Sequence, residues 1–213
     1  MGVTIPSEVL PPGNSRILPH RFSLDRIGDV LRNREPRKVE GTTHAAAVAL
    51  VLRQSGGGLE ALFIKRAEHP DDPWSGHIGL PGGRAESRDQ GLVHTAIRET
   101  EEEIGLSLAT DGDLLGALDE TRAVARAKSI DLKIAPFVFA APGAPDELIL
   151  SDEVAATHWI PLLALFDAAH TASVTMRHGG QDLRFPAIEV RGLTIWGLTL
   201  RMLRNFETLV SRS

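Results

Sequence analysis

Apolar residues fall along this chain in two periods. Ala45–Leu52 is an unbroken run of small and apolar residues that ends at Arg53 and meets Gly56–Gly58. Glu60–Arg66 follows with a second apolar run, so two strands joined by a glycine turn are predicted. Residues 91–104 change to the helical period, with Leu92, Val93, Ala96, Ile97, Thr100 and Ile104 on one stripe. Gly105 stands where a helix commonly ends in the left-handed conformation. Leu24, Ile27, Val30 and Leu31 mark a short earlier helix that starts after Ser23 and closes before Pro36. Downstream, Asp113–Leu118, Leu132–Ala140 and Val154–Ile160 read as strands and Leu162–Ala169 as a weak helix. Residues 173–176 and 183–190 suggest a hairpin, and Thr194–Val210 a final amphipathic helix.

Between the second strand and the main helix lies EHPDDPWSGHIGLPGGR, whose prolines and glycines predict loop. Pro6, Pro11, Pro12, Gly13 and Pro19 predict a loose arm over residues 1–20. Residues 1–40 are thus expected to be an arm with a short helix packed as a flap, and 41–213 the main domain. No internal repeat is visible. Strands interleaved with a few helices give an α/β (α+β) sandwich.

Composition narrows the function. The chain has 213 residues, 42% hydrophobic and 24% charged, as expected of a globular protein. Lys plus Arg is 23 against 28 Asp plus Glu, a net charge of −5, which argues against binding a nucleic-acid polymer or an anionic membrane surface. No apolar run reaches the ~18 residues of a membrane span, and the first residues lack the basic and apolar regions of a secretory signal. The absence of cysteine excludes disulfides and thiolate sites and fits a cytoplasmic protein.

The unusual chemistry lies in PGGRAESRDQGLVHTAIRETEEEIGL, residues 81–106. Helical spacing places Glu99, Glu102 and Glu103 together, read here as the polar face opposite the apolar stripe. Like charges so placed weaken a helix by ~0.2–0.5 kcal/mol per pair, which a solvated helix tolerates. Clustered carboxylates also suit a hard cation such as Mg²⁺ or Mn²⁺. Gly82 and Gly83 allow close backbone approach to a ligand. Lys65, Arg66 and Arg84 border the same loop; Arg66 and Arg84 are candidates to hold phosphate oxygens, with ordinary strand-end charge as the alternative. Trp74 and His77 lie nearby, Trp74 read as a packing anchor, and Trp159 and Trp196 are read as core.

This segment resembles the signature of the Nudix hydrolase superfamily, G-x5-E-x7-R-E-U-x-E-E-x-G-U with U apolar. Arg98-Glu99-Thr100-Glu101-Glu102-Glu103-Ile104-Gly105-Leu106 matches every fixed position of its second half, with Thr100 at an apolar one. In the first half Asp89 replaces the glutamate, and eight residues separate it from Arg98. That spacing, with Glu86, Thr95-Ala96, the run ending at Gly83, Glu153-Val154…Trp159-Ile160-Pro161-Leu162 and Trp196-Gly197-Leu198-Thr199, is similar to the coenzyme A pyrophosphatase-like branch. The branch's Arg-x-His-x-Gly element is replaced here by Asp72-Pro73-Trp74-Ser75-Gly76-His77.

The resemblance implies an α/β/α sandwich with a mixed sheet, a homodimer, and divalent-metal-dependent hydrolysis of the pyrophosphate in a nucleoside diphosphate linked to another moiety. A coenzyme A-type substrate is favoured over ADP-ribose, NADH or a nucleoside triphosphate. A catalytically silent nucleotide sensor is the alternative class, disfavoured because the glutamates are kept. The candidate catalytic residues are Arg98, Glu99, Glu102 and Glu103; Glu99, Glu102 and Glu103 are the expected metal ligands, with the Gly82 carbonyl as a further one. Arg66, Arg84, Gly82 and Gly83 are the candidate substrate-binding residues. Arg98 is expected to pin a glutamate by a bidentate bond. The general base is left among these glutamates, Asp152 and Glu153.

Overall fold

Residues of β1 (His44–Ser55) are apolar on both faces because helices cover both sides of the sheet it joins. Ala46, Leu50 and Leu52 enter one core cluster, while Ala47, Ala49 and Val51 enter the other. β2 (Gly58–Arg66) divides the same way, with Ala61 and Phe63 on one side and Leu62 and Ile64 on the other. The protein is seen in a computed structural model that describes residues 22–69, 75–125, 130–178 and 181–211. The expected arm over residues 1–20 lies outside the described residues, as does Trp74.

Among the described residues, β1 and β2 belong to an eight-stranded mixed sheet. β7 (Ile130–Ala140) runs parallel to β1, and the other pairings are antiparallel: β5 (Asp113–Ala117) and β6 (Thr121–Ala125) on β7, β8 (Val154–Pro161) on β2. α1 (Leu24–Arg32) and α5 (Gly197–Ser211) pack on one face through Ile27, Leu31, Leu203 and Phe206. α2 (Leu92–Ile104) covers the other through Ala96 and Ile104. The result is the expected α/β/α sandwich. Two short helices, α3 (Leu108–Asp111) and α4 (Leu162–Leu165), complete the helical elements, with a 3-10 turn at Ala168–His170.

α1 is capped by Ser23, whose hydroxyl accepts from the Arg26 N–H at 3.3 Å. It is tied down further along the chain by Arg34, which bonds the Ala117 carbonyl and pairs with Asp119.

Several expected elements are revised. The proline-rich loop contains two short strands, β3 (Ile78–Gly79) on β2 and β4 (Gly82–Arg84) on β1. Pairing partners, which a local reading cannot see, hold them extended. β6 was not expected at all. The hairpin is longer than expected, β9 (Thr171–His178) with β10 (Gln181–Val190). The last helix starts at Gly197 rather than Thr194, because β11 (Leu193–Trp196) pairs with β10 and Gly197 turns at φ +62°. The weak helix ends at Leu165, not Ala169.

The edge of β1 positions the site. Leu52–Ser55 pair with β2, whereas Ala46–Val48 pair with β4. β2 meanwhile turns to β3 at Ile64 and Lys65. The Gly-Gly strand thus fills the gap where β2 leaves β1.

Candidate active site

Gly82 and Gly83 are required by what surrounds β4. Gly82 has φ +145°, and a Cβ there would sit 2.2 Å from the Ala47 carbonyl oxygen. A Cβ on Gly83 would lie 2.5 Å from the Glu99 carboxylate. Gly82 therefore lets β4 lie close against β1, and Gly83 lets the Glu99 carboxylate of α2 close on the strand backbone. Glu103 completes this contact by accepting the Gly82 N–H at 2.8 Å.

α2 is amphipathic, but not as its sequence suggested. Thr100 is fully buried and donates back to the Ala96 carbonyl at 2.7 Å, so the polar residue at an apolar position is satisfied within the helix. Glu103 was placed on the solvated face, yet it is only 4% exposed. Its position, one short of the apolar Ile104, turns it under β4 rather than into water. Glu101 is exposed as expected.

Burial pushes the Glu103 carboxyl up to about 7, against the opposing pull of the Gly82 N–H and Arg66, whose Nη1 lies 3.8 Å from Oε1. Burial raises Glu99 as well, with Arg98 acting against it. The negative charge of Glu153 raises both.

Arg98 does not pin a glutamate by a bidentate bond. Its fork goes to Asp89, Nε to Oδ1 at 2.9 Å and Nη2 to Oδ2 at 3.0 Å. Nη1 makes single bonds to Glu99 at 2.9 Å and Glu102 at 2.8 Å, and Nη2 also reaches the Arg84 carbonyl at 3.0 Å. Asp89 can take the fork because its loop folds on it: the Glu86 N–H donates at 2.9 Å and the Thr95 hydroxyl at 2.8 Å. Bonding to Arg98 holds the Asp89 carboxyl well below the usual carboxylate range. Asp89 was visible in the sequence as a departure from the general signature that fits the spacing of one branch, with no role assigned to it. Its separation from Thr95 and Arg98, which puts it one turn ahead of the helix, was the signal for its role.

Glu102 differs from its two neighbours. It is half-exposed and held by Arg88 as well as Arg98, at 3.0 and 2.8 Å. Glu99, Glu102, Glu103, Ser151, Asp152 and Glu153 line one cleft of about 280 Å³. Asp152 and Glu153 are exposed on the loop before β8, which is fixed by the Ala67 N–H bonding the Glu153 carbonyl and by the Ser151 N–H bonding the Glu103 carbonyl. The donor set of this cleft is carboxylate oxygen, the chemistry a hard divalent cation takes. Partly buried carboxylates that raise one another's pKa gain from such a cation. Among the described residues no three acidic or histidine side chains are arranged to hold a metal ion together.

On the other side of β4 lies a cavity of about 490 Å³. Ala46 and Val48 line it, the β1 positions opposite those under α2, together with Ile78, Leu80, Leu132 and Ile134. Arg66, Gly82, Gly83 and Arg84 line it too. Three of these touch carboxylates of the cleft, since Arg66 and Gly82 contact Glu103 and Gly83 abuts Glu99. Lys65 is exposed and is not among the lining residues.

Trp159 and Trp196, read as core, are each only half-buried. Trp196 is half-buried, meets the His77 ring at 5.0 Å and lines the cavity, because β11 runs into the cavity wall. Trp159 is half-buried under the Arg53 guanidinium, 4.0 Å from its ring centre. It donates to the Pro145 carbonyl at 3.2 Å, which holds its indole at the sheet margin. No helix among the described residues is long and apolar enough to cross a membrane.

The chain is similar to several known proteins. A Schizosaccharomyces pombe protein of uncharacterized function is 37% identical over 106 residues, 49% of this chain and 32% of that protein. The matched stretch is thus about a third of that relative's length. The uncharacterized Nudix hydrolase NudL of Yersinia pestis is 29% identical over 150 residues, 70% of this chain and 72% of the relative. A MutT protein of Methanosarcina mazei Go1 resembles the structure with a TM-score of 0.49 at 19% identity, over 84% of this chain and 97% of that one. The NUDIX domain profile matches residues 42–179, and the chain belongs to the Nudix family.

Proposed function

We propose that this chain hydrolyses the pyrophosphate bond of a nucleoside diphosphate linked to another moiety, with Mg²⁺ or Mn²⁺, and that a coenzyme A-type substrate is favoured. Membership of the family supports a hydrolase acting on pyrophosphate bonds. The observation that supports the finer reading is that Arg66, Gly82 and Gly83, which line the largely apolar cavity, also contact the carboxylates of the cleft. A substrate whose anionic linkage lies over β4 places its phosphates beside Arg66 and Arg84 and its uncharged part in the cavity.

In this reading Glu99 and Glu103 are the principal metal ligands and Glu102 completes the set once released from Arg88. A divalent ion, when bound, offsets the pyrophosphate charge and lowers the pKa of a water. Arg98 is a positioning residue, fixed by Asp89 and aiming Glu99 and Glu102. Gly82 and Gly83 admit the phosphates close to the backbone. The cavity walls, Ile78, Leu80, Leu132 and Ile134 among them, suit the neutral arm of a pantetheine better than a second charged or sugar-rich nucleoside.

Coenzyme A, ADP-ribose and NADH, each incubated with Mg²⁺ or Mn²⁺ and analysed by mass, test this. Coenzyme A is expected to yield adenosine 3′,5′-bisphosphate and 4′-phosphopantetheine, with a high KM because few cations line the cavity. An advantage of about tenfold or more in kcat/KM for ADP-ribose or NADH overturns the substrate assignment and leaves the hydrolase class standing.

A further inference from the structure

Residues 141–153 connect β7 to β8 without a helix or strand, and the end of this connection delivers Asp152 and Glu153 to the carboxylate cleft. Both side chains are exposed, so the backbone that carries them sets their place. Connections of this length with no regular structure are uncommon and usually functional. Holding one in a single path costs conformational entropy that its ties must offset. Near the cleft the Ser151 N–H donates to the Glu103 carbonyl at 2.9 Å and the Ala67 N–H to the Glu153 carbonyl at 2.8 Å. Further back, Ile149 rests against Gly105, where a Cβ would come within 3.0 Å of it, yet Ile149 is 83% exposed.

The remaining tie is made by Arg53 and Trp159, from two different strands. Arg53 of β1 donates from Nη1 to the Ala144 carbonyl at 3.1 Å and from Nη2 to the Asp146 carboxylate at 2.6 Å. Trp159 of β8 donates its indole N–H to the Pro145 carbonyl between them. The two side chains also hold each other, since the guanidinium lies over the indole ring. Glu60 fixes the guanidinium by accepting from Nε and Nη2 at 3.2 and 3.1 Å. Arg53 and Glu60 are 12% and 14% exposed, so the clamp is built into the sheet, whereas the Asp146 that it grips is 85% exposed. Neither Arg53 nor Trp159 lines the cleft.

We propose that Arg53 and Trp159 are positioning residues for the hydrolysis, clamping the connection at residues 144–146 so that Asp152 and Glu153 stay at the cleft. This rests on the pyrophosphate-hydrolase reading above and extends it to the part of the site that α2 does not supply. Two of the three gripped groups are backbone carbonyls, so the clamp acts on the path of the chain itself. A lysine cannot replace Arg53, because a point charge lacks the planar fork shared among Glu60, Ala144 and Asp146. A phenylalanine at position 159 keeps an aromatic face for the guanidinium and loses the N–H donor.

Trp159→Phe and Arg53→Lys, studied in the full chain, test this. Hydrogen exchange at the Ser151 amide is expected to quicken about tenfold in each, because the local opening that frees it becomes easier. With Mg²⁺ and whichever of coenzyme A, ADP-ribose and NADH the parent hydrolyses fastest, kcat is expected to fall about tenfold and KM to stay within about twofold. In an Asp152→Asn, Glu153→Gln background the same substitutions should change kcat by less than about twofold, since residues that act through one another are not additive. Trp159→Phe carries the test alone should Arg53→Lys not fold. A purely structural role lowers kcat by the same factor in both backgrounds, and that result overturns the proposal. Parental exchange at Ser151, or parental turnover in the Asp152→Asn, Glu153→Gln protein, overturns it too. Failure of the underlying reading looks different: the parent then hydrolyses none of the three compounds, and exchange at Ser151 decides the clamp by itself.

Discussion

Asp89 and Arg98 face each other as a planar ion pair behind the carboxylate cleft, with paired contacts of 2.9 and 3.0 Å. Their side chains are 5% and 14% exposed. The pair joins the loop after β4 to the middle of α2. Through it, a residue that touches neither proposed metal nor substrate fixes the two glutamates that Arg98 also holds.

Asp89→Asn is therefore expected to damage both stability and turnover. Breaking a buried pair by removing one partner costs ~3–5 kcal/mol, and the partial exposure of Arg98 puts this case near the lower figure. The folded-state pKa is depressed, so the stabilisation is present above the unfolded carboxylate pKa and is lost as pH falls through the folded value. Denaturant titrations at pH 7, 4 and 2 should show the gap between parent and variant closing only at the acid end. A gap constant with pH contradicts the pairing.

Arg98→Lys should lower kcat by about 100-fold, with a smaller change in KM. An ammonium cannot reproduce the two-pronged bond to Asp89 while also reaching Glu99 and Glu102, and small displacements of reacting groups cost about that factor. Steady-state kinetics of the lysine and alanine variants check this. Near-parental turnover in the lysine variant means that charge alone suffices.

Glu103→Gln should abolish most turnover yet stabilise the metal-free protein at pH 8. The folded-state pKa of about 7 lies above the unfolded value near 4.5, so the folded state prefers the proton. That preference stabilises fully below the unfolded pKa and is lost as pH rises through 7. The amide keeps an oxygen to accept the Gly82 N–H and has no charge to bury. Unfolding free energies from denaturant titration without metal should favour the variant at pH 8, by on the order of 2 kcal/mol, and the difference should vanish near pH 4. A variant less stable at pH 8 refutes the buried-charge account.

The two glycines of β4 should separate fold from function. Gly82→Ala meets the Ala47 carbonyl at 2.2 Å and a φ of +145°, so it should lower the melting temperature. Gly83→Ala meets first the Glu99 carboxylate, the far end of a flexible side chain, at 2.5 Å. It should melt near the parent while turnover falls by about 100-fold. Equal melting losses in the two variants are the outcome that contradicts this division.

The sequence by itself determined what depends on local order. The 3.6-residue period of 91–104 and the position of Gly105 place α2 within a residue of its observed ends, since both follow from neighbours a turn apart. The apolar runs Ala45–Leu52 and Glu60–Arg66 marked two strands joined by a glycine turn. The Arg98-Glu99…Glu102-Glu103 run located the candidate chemistry.

Tertiary structure decided what depends on distant partners. β3, β4, β6 and β11 are strands only because β2, β1, β7 and β10 lie beside them. Glu103 is buried because β4 closes on α2, although helical spacing alone grouped it with the solvated residues. Arg98 reaches past the nearer glutamates to Asp89 because the preceding loop delivers that carboxylate already bonded to Glu86 and Thr95. Trp196 lines a cavity instead of the core because the hairpin that pairs with β11 stands at the cavity edge. Periodicity records which face a residue takes on its own element; what comes to meet that face is set by chain closure over long separations, where no local pattern reaches.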